Sequence, residues 1–200
     1  MTVWIKICGL TTPDGVAAAL DAGADAIGFV FAKSVRQVRS EAAVRLAAPA
    51  RGRAVCVAVT RHPRQQDIDE IVSVFKPDVL QTDSADLALL RLPTQLELLP
   101  VMRGAEAVAL PRRVLFEGLT SGAGVPCDWT AAGRVARRTE LVLAGGLNPA
   151  NVAAAIAAVQ PFGVDVSTGV EVRPGVKSPA EIMNFVRAAR ESGAVCEVRV

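Results

Sequence analysis

Short apolar runs rich in β-branched residues alternate along the chain with longer, alanine-rich runs. The first apolar run, residues 3–8, is interrupted only by Lys6 and ends at Gly9, which is typical of a parallel strand buried on both faces. Eight such runs predict strands at residues 3–8, 26–31, 54–59, 79–82, 96–102, 113–117, 141–144 and 164–167. The alanine-rich runs predict helices at residues 13–22, 40–48, 65–75, 84–90, 130–137, 148–159 and 178–192.

Strand–helix alternation at this spacing implies right-handed crossovers and a parallel sheet covered by helices. Eight units predict an α/β fold, a single-domain (β/α)8 barrel over residues 1–200. Its loops must be short, because this length is near the lower limit for the fold. We expect residues 191–200 to form a loosely attached tail. The alternative is an open doubly wound sheet, although the first strand lacks the GxGxxG turn typical of that fold.

Composition and charge exclude several classes of protein. With 51% hydrophobic and 21% charged residues, the chain is typical of a soluble globular domain rather than a disordered or disulfide-rich one. The net charge is +2, and no stretch combines basic with aromatic residues, so neither nucleic acid nor a membrane is an expected partner. No apolar run is long enough to cross a bilayer, and the amino-terminal residues lack a signal-peptide pattern, which predicts a cytoplasmic protein.

The cysteines and the single histidine do not indicate a metal site. Cys8, Cys56, Cys127 and Cys196 are far apart and form no CxxC pair, so we expect four reduced, independent thiols. His62 lies in a polar stretch that is typical of a surface loop. The sequence therefore predicts a protein without a metal.

Chemistry in a (β/α)8 barrel takes place where the strands end. The polar residues and glycines at these positions are Cys8, Ser34, Arg36, Gln81, Asp83, Glu117, Gly145, Gly146 and the run 165–169. Glycines after strand 7 let backbone N–H groups approach an anion, and the hydroxyls that follow strand 8 can donate to it. The loops after strands 7 and 8 are therefore a predicted phosphate site.

Two groups of motifs are recognisable in the same order along nearly the whole chain. The first is Lys-Ile-Cys-Gly-Leu-Thr at residues 6–11 with Gly-Phe-Val-Phe at 28–31, followed by Ser34 and Arg36. The second is Ala-Gly-Gly-Leu-Asn-Pro at 144–149, Val-Asp-Val-Ser-Thr-Gly-Val-Glu at 164–171 and Pro-Gly-Val-Lys at 174–177. As a set they resemble the phosphoribosylanthranilate isomerase family of tryptophan biosynthesis.

The resemblance implies a cofactor-free Amadori rearrangement of N-(5-phosphoribosyl)anthranilate to 1-(2-carboxyphenylamino)-1-deoxyribulose 5-phosphate. An acid protonates the ribose ring oxygen so that the ring opens to a Schiff base, and a base then removes the C2 proton. By resemblance Cys8 is the general base and Glu117 stands at the position of the general acid.

The resemblance also implies the binding residues. Arg36 would contact the anthranilate carboxylate, Asp165 would bind the sugar hydroxyls, and Gln81 would belong to the substrate pocket. The phosphate-binding residues would be Gly145, Gly146, Ser167, Thr168 and Gly169. The expected partner is a phosphorylated small molecule, and we expect a monomer or a homodimer.

Strands 3, 4 and 6 depart from the family pattern, and on strand 3 Thr60 and its neighbours stand near where the family commonly has Phe-Val-Asn. Glu117 replaces an aspartate, which moves the carboxyl group outward by about 1.5 Å, a displacement that matters where catalysis needs close positioning. The family's Gln-Leu-His-Gly is Gln-Thr-Asp-Ser at residues 81–84, so Asp83 replaces the histidine. Asp128, in a Cys-Asp-Trp run, is the rival carboxylate for the acid or a substrate-binding residue, unless it caps the following helix.

Three alternatives remain open. The first is an isomerase that also accepts the related aminoaldose of histidine biosynthesis. The second is a non-catalytic phosphate-binding barrel, and the third is a Schiff-base aldolase that uses Lys6. Turnover separates the first from the second, and borohydride trapping on Lys6 tests the third.

Overall fold

Eight parallel strands close into a barrel in the computed structural model, which describes residues 2–103, 110–118 and 127–195. The strands are β1 Trp4–Cys8, β2 Ala26–Val30, β3 Val55–Val59, β4 Val79–Asp83, β5 Glu97–Met102, β6 Arg113–Phe116, β7 Glu140–Leu143 and β8 Gly163–Val166. They pair in sequence order, and β1 also pairs with β8. The barrel prediction is thus confirmed, and the open doubly wound sheet is wrong.

Seven helices cover the outside of the barrel over the described ranges. They are α1 Pro13–Asp21, α2 Ser40–Ala47, α3 Gln65–Glu70, α4 Ser84–Leu87, α5 Trp129–Ala136, α6 Val152–Val159 and α7 Pro179–Val195. After β8, a short 3-10 helix, Thr168–Val170, leads into a hairpin of β9, Glu171–Arg173, and β10, Val176–Lys177. Residues 191–195 of the predicted tail belong to α7, and residues 196–200 lie outside the described residues.

The strand predictions agree with the structure within one residue at either end, whereas four helices differ by more. The helix expected at 178–192 continues to Val195. The helix expected at 65–75 changes to a π-helix over Ile71–Phe75 and stops at Lys76, which adopts a left-handed conformation with φ 52°. The helix expected at 84–90 ends at Leu87, and the following Leu89 is 83% exposed, so a longer helix would gain no buried face there. The helix expected at 148–159 begins at Val152, because Asn148 and Asn151 form a side-chain turn before it.

Small and branched apolar side chains fill the barrel interior. Its core consists of Ala26, Val57, Val79, Leu99, Val101, Leu115, Val142 and Ala144. Because side chains alternate along a strand, residues two positions beyond these face the same interior. At the carboxyl ends of the strands, these interior positions are Cys8, Asp83, Arg103, Glu117, Asp165 and Ser167. The alternation therefore brings the ionisable groups to one mouth of the barrel.

No helix within the described ranges combines the length and the apolar character needed to span a membrane.

Candidate active site

Cys8 ends β1 and is 6% exposed at the mouth of the barrel. Gly28 lies opposite it on β2. A Cβ atom on Gly28 would come within 3.0 Å of the Cys8 Sγ and 3.1 Å of the Lys6 Cε. The glycine therefore leaves the space that both side chains occupy.

Charged groups surround the Cys8 thiol from three elements. Burial raises the pKa of Cys8 above its ordinary value, and the nearby Asp165 carboxylate raises it further. The Lys6 and Lys177 ammonium groups act in the opposite direction. The thiol is therefore the favoured form at neutral pH, with two cations placed to stabilise a thiolate when it forms.

Lys6 lies fully buried one layer below Cys8, where its Nζ donates to Asp165 Oδ1 at 2.7 Å. Burial alone lowers the pKa of this lysine, but the Asp165 charge and hydrogen bond outweigh it, so its pKa is raised. A charged lysine is a poor nucleophile, because Schiff-base chemistry needs the free amine. The Lys6–Asp165 ion pair thus argues against the aldolase alternative.

Glu117 follows β6 and is held by an arginine. Arg103 Nη2 donates to Glu117 Oε1 at 2.6 Å, and Arg103 Nη1 lies 2.6 Å from Asp83 Oδ1. Burial opposes the charge of Arg103, but the two carboxylates outweigh burial and raise the pKa of the guanidinium. Two of the departures from the family pattern, Asp83 and Glu117, are thus joined through one side chain.

The loops after β7 and β8 form a cavity beside Glu117. Gly145 and Gly146 adopt φ angles of 89° and 64°, a region that favours glycine. A Cβ atom on Gly169 would lie 1.9 Å from the Leu147 carbonyl oxygen, so only glycine lets the two loops pack this closely. The lining residues are Glu117, Ala144, Gly145, Gly146, Leu147, Asp165, Val166, Ser167, Thr168 and Gly169.

A second ionic network supports this cavity from outside. The Nε and Nη2 atoms of Arg36 donate to the two carboxylate oxygens of Glu171 at 2.7 and 2.9 Å. Lys177 Nζ donates to Glu171 Oε1 at 2.8 Å and to Ser167 Oγ at 3.1 Å. Burial would raise the pKa of Glu171, but the hydrogen bonds and charges of Arg36 and Lys177 outweigh it and lower that pKa. One edge of the Arg36 guanidinium is therefore fixed by Glu171, which orients its Nη1 side.

The predicted site residues do not all lie together. Gln81 is 6% exposed inside the barrel, and its Oε1 has no hydrogen-bond partner among the described residues. Asp128 is exposed and caps α5, since its Oδ1 accepts from Thr130 N at 2.8 Å and Ala131 N at 3.0 Å. The interpretation of Asp128 as a helix cap is confirmed, and it does not line the cavity that contains Glu117.

One group of described side chains has ligand types and spacing that suit a metal. Atoms of His62, Asp83 and Asp86 lie within 4.8 Å of one another. These atoms already have partners in the protein, because Asp83 binds Arg103 and Asp86 accepts from the His62 backbone at 2.8 Å and from Thr82 Oγ1 at 3.0 Å. The pairs account for this cluster without a bound ion.

Sequence reasoning missed three residues of the site: Arg103, Glu171 and Lys177. Arg103 directly follows strand 5, so the rule that selects polar residues at strand ends would have found it. Glu171 and Lys177 stand inside quoted motifs, but their pairing with Arg36 depends on the β9–β10 hairpin, which no periodicity in the sequence predicts.

A closed (β/α)8 barrel whose ionisable groups and glycine loops meet at the carboxyl ends of the strands defines the class of barrel enzymes. The sequence pattern of the family N-(5'phosphoribosyl)anthranilate (PRA) isomerase matches residues 5–188. The chain belongs to this family and is an aldose–ketose isomerase.

Individual relatives agree with this assignment. The N-(5'-phosphoribosyl)anthranilate isomerase of Mesorhizobium japonicum is 40% identical over 95% of this chain and 96% of its own length. The crystal structure of TrpF from Jonesia denitrificans is 33% identical and superimposes with a TM-score of 0.81 over 96% of this chain and 98% of its own. A phosphoribosyl anthranilate isomerase in complex with reduced 1-(o-carboxyphenylamino)-1-deoxyribulose 5-phosphate is 28% identical, with a TM-score of 0.77 over 94% of this chain and 99% of its own.

Proposed function

We propose that the chain carries out the isomerase reaction of its family with Cys8 as general base and Glu117 as general acid. The substrate is N-(5-phosphoribosyl)anthranilate and the product is 1-(2-carboxyphenylamino)-1-deoxyribulose 5-phosphate. One observation carries this proposal: Glu117 and Asp165 line the same cavity as the glycine and hydroxyl loops, and Asp165 acts electrostatically on Cys8. The Glu117 carboxyl group and the anion site therefore share one cavity, and Cys8 ends the strand that pairs with the strand of Asp165.

The proposed steps use these groups in order. Glu117 donates a proton to the ribose ring oxygen, the C1–O bond breaks, and the open Schiff base carries the positive charge. Cys8 then removes the C2 proton, and the electron pair of the C2–H bond forms the C1=C2 double bond of the enol and neutralises the iminium nitrogen. The enol becomes the ketone when C1 gains a proton and the C2 hydroxyl loses one. The working form needs a thiolate at Cys8 and a carboxylic acid at Glu117. A proton that moves from the Cys8 thiol to Glu117 creates this form without a change in the total number of protons.

Substrate binding is assigned to groups around the same mouth. Backbone N–H groups of Gly145, Gly146 and Gly169, with the hydroxyls of Ser167 and Thr168, would hold the phosphate. Lys177 donates to Ser167 Oγ and so leaves the hydroxyl proton free to point toward an anion.

The sugar hydroxyls and the anthranilate group of the substrate need further contacts. Arg36 would bind the anthranilate carboxylate through its Nη1 side, because Glu171 occupies the opposite edge. Asp165 and the unpartnered Oε1 of Gln81 would accept from sugar hydroxyls.

The remaining features are proposals of the same kind. We propose that residues 1–200 form a single domain, and that the protein works in the cytoplasm as a monomer or a homodimer without a cofactor. Asp128 is assigned to the helix cap rather than to the acid, because its Oδ1 accepts two backbone N–H groups.

The test follows the loss of anthranilate fluorescence after freshly prepared substrate is mixed with the wild type or Glu117→Gln. We expect rapid turnover by the wild type and a fall in kcat on the order of 10²-fold or more in the variant. Wild-type activity in Glu117→Gln would remove Glu117 as the acid. Binding of the substrate by the wild type without turnover would instead favour the non-catalytic barrel.

A further inference from the structure

Arg103 occupies the centre of an ionic cluster that the family resemblance does not describe. It follows β5 and lies between Asp83 on β4 and Glu117 after β6. We propose that Arg103 is a positioning residue for the isomerase reaction, which holds the Glu117 carboxyl group at the cavity and, through its sharing with Asp83, leaves that group able to take a proton. This inference rests on the proposed role of Glu117 as the general acid.

The first part of the proposal, that Arg103 positions Glu117, rests on the geometry of the guanidinium. The planar group gives one terminal nitrogen to each carboxylate, at 2.6 Å in both cases. Its Nε is buried and has no hydrogen-bond partner among the described residues. Because Arg103 contacts each carboxylate through a single nitrogen, it fixes the position of Glu117 without the bidentate pairing that holds a carboxylate most firmly.

The second part of the proposal, that Glu117 stays able to take a proton, rests on the charges of the three side chains. One guanidinium faces two carboxylates that are 10% and 12% exposed, so these three side chains together have a net charge of −1 when both carboxylates are ionised. The positive charge is divided between Asp83 and Glu117, and the remaining negative charge favours the uptake of one proton. A general acid needs this property, because it must hold a proton before it donates one.

The other described ionisable groups near these side chains are neutral, paired elsewhere or largely exposed. Cys127 interacts with Glu117, but burial raises its pKa to about 11, with a smaller contribution from the charges of Asp128 and Glu117, so it stays neutral. Asp165 lines the same cavity as Glu117 but pairs with Lys6. Asp83 also lies 3.9 Å from Arg61 Nε and 3.8 Å from His62 Nε2, and both of these side chains are more than half exposed.

The cluster gives a common reason for two of the departures from the family pattern, those on strands 4 and 6. Asp83 and Glu117 bind the same guanidinium, so each substitution depends on the other through Arg103. An aspartate at position 117 would withdraw its carboxyl group by about 1.5 Å, beyond hydrogen-bond distance of Arg103 in the present geometry. The longer acid thus fits the arginine rather than the family's usual spacing.

The experiment measures kcat and KM as a function of pH for Arg103→Met, Asp83→Asn and Glu117→Gln. Arg103→Met removes the cation, and we expect kcat to fall about 10- to 100-fold while KM changes less than about threefold. The part of the kcat–pH profile that reports the ionisation of Glu117 should move to higher pH by about 1 unit, because the carboxylate loses its neighbouring cation. Asp83→Asn leaves Arg103 to Glu117 alone, so the same part of the profile should move to lower pH.

The opposite shifts separate this role from a merely structural one. Arg103→Lys keeps the charge but cannot span two carboxylates, so this part of its profile should stay near the wild-type position while kcat remains low. Arg113→Met provides a control, because Arg113 also bridges two carboxylates but at the opposite end of the barrel. If Arg103→Met does not fold, Asp83→Asn, which is close to isosteric, still gives the sign of the shift.

Three outcomes decide the matter. Loss of activity in Glu117→Gln together with opposite shifts in the other two variants supports the proposal. Loss of activity in Glu117→Gln with unchanged pH profiles in Arg103→Met and Asp83→Asn overturns the role of Arg103 and leaves the proposed function intact. Full activity in Glu117→Gln overturns the acid assignment itself, and the role of Arg103 with it.

Discussion

The two ends of the barrel each carry an arginine that bridges two carboxylates from neighbouring strands. At the carboxyl end Arg103 binds Asp83 and Glu117, and at the amino end Arg113 binds Glu97 and Glu140. Both arginine side chains are 20% exposed, but the carboxylates differ. Those at the carboxyl end are 10% and 12% exposed, whereas Glu97 and Glu140 are 56% and 31% exposed.

The surroundings of the two arginines differ as well. Arg113 lies over the Phe162 ring at 4.3 Å and near the Trp4 ring at 5.9 Å, and all three of its nitrogens have carboxylate partners. Arg103 has a buried Nε without a partner among the described residues, and it binds Glu117, which lines a cavity. Water solvates the carboxylates at the amino end, and the rings stack on the cation. At the carboxyl end, two largely buried carboxylates share one guanidinium among the described residues, an arrangement that indicates reactivity rather than stability.

The largest effect that would sharpen this contrast is expected from Cys8→Ser. A hydroxyl is a much weaker base than a thiolate, so we expect kcat to fall by about 10² to 10⁴-fold. Binding of a product analogue should remain nearly unchanged, because the base acts mainly in the transition state. Steady-state kinetics and calorimetric titration measure the two quantities. Equal activity in the variant would remove Cys8 as the base.

Arg36→Ala tests binding at the same end of the barrel. Loss of the guanidinium should raise KM by about 10- to 100-fold with a smaller change in kcat, since a charged hydrogen bond to the anthranilate carboxylate contributes about 1.5–3 kcal/mol. Glu171→Gln is the matched control, because it removes the partner that orients Arg36 but keeps the arginine. An unchanged KM in Arg36→Ala would exclude the carboxylate role.

Glu117→Asp tests how closely the acid is positioned. The shorter side chain loses its 2.6 Å contact with Arg103, and we expect kcat to fall to less than about a tenth of the wild-type value. The free energy of unfolding should change less in Glu117→Asp than in a variant with a substitution in the hydrophobic core. A rate equal to that of the wild type would mean that the pocket tolerates either acid.

Spectroscopic titration of the Cys8 thiol gives the smallest signal. Burial raises its pKa above the ordinary value for a thiol, so the proton is held at neutral pH and lost only in the alkaline range. The difference in thiolate absorbance near 240 nm between the wild type and Cys8→Ser should therefore increase only at alkaline pH. A transition below pH 7 would contradict the burial and charge balance found around Cys8.

The sequence predicted the strands and the placement of the site better than its internal contacts. Uninterrupted apolar runs such as residues 54–59 have few other interpretations, and the alternation of side chains then fixes which residues face the interior. Helix ends were harder, because the π-helix over Ile71–Phe75 and the turn at Asn148 depend on packing and side-chain hydrogen bonds. Neither the hydrophobic periodicity of the sequence nor the helix propensity of its residues predicts such contacts.

The candidate site divides in the same way. Cys8 and the phosphate loops are contiguous motifs, so their residues could be named from the sequence. The pairs Arg103–Glu117 and Lys177–Glu171 join residues whose proximity depends on strand order and on the hairpin. Such ion pairs arise only when the barrel closes, and a charged residue in sequence does not indicate its partner.

The most direct test of the contrast between the two arginines is a parallel measurement of isomerase rate and thermal stability in Arg103→Met and Arg113→Met. Arg103→Met should lose about 10- to 100-fold in kcat, and its Tm should also fall because two largely buried carboxylates lose their shared cation. Arg113→Met should keep its kcat within about twofold and lose about 1–2 kcal/mol of stability, or roughly 3–8 °C in Tm. A normal rate in Arg103→Met, or a fall in kcat in Arg113→Met as large as that in Arg103→Met, would contradict the division between a catalytic and a structural arginine.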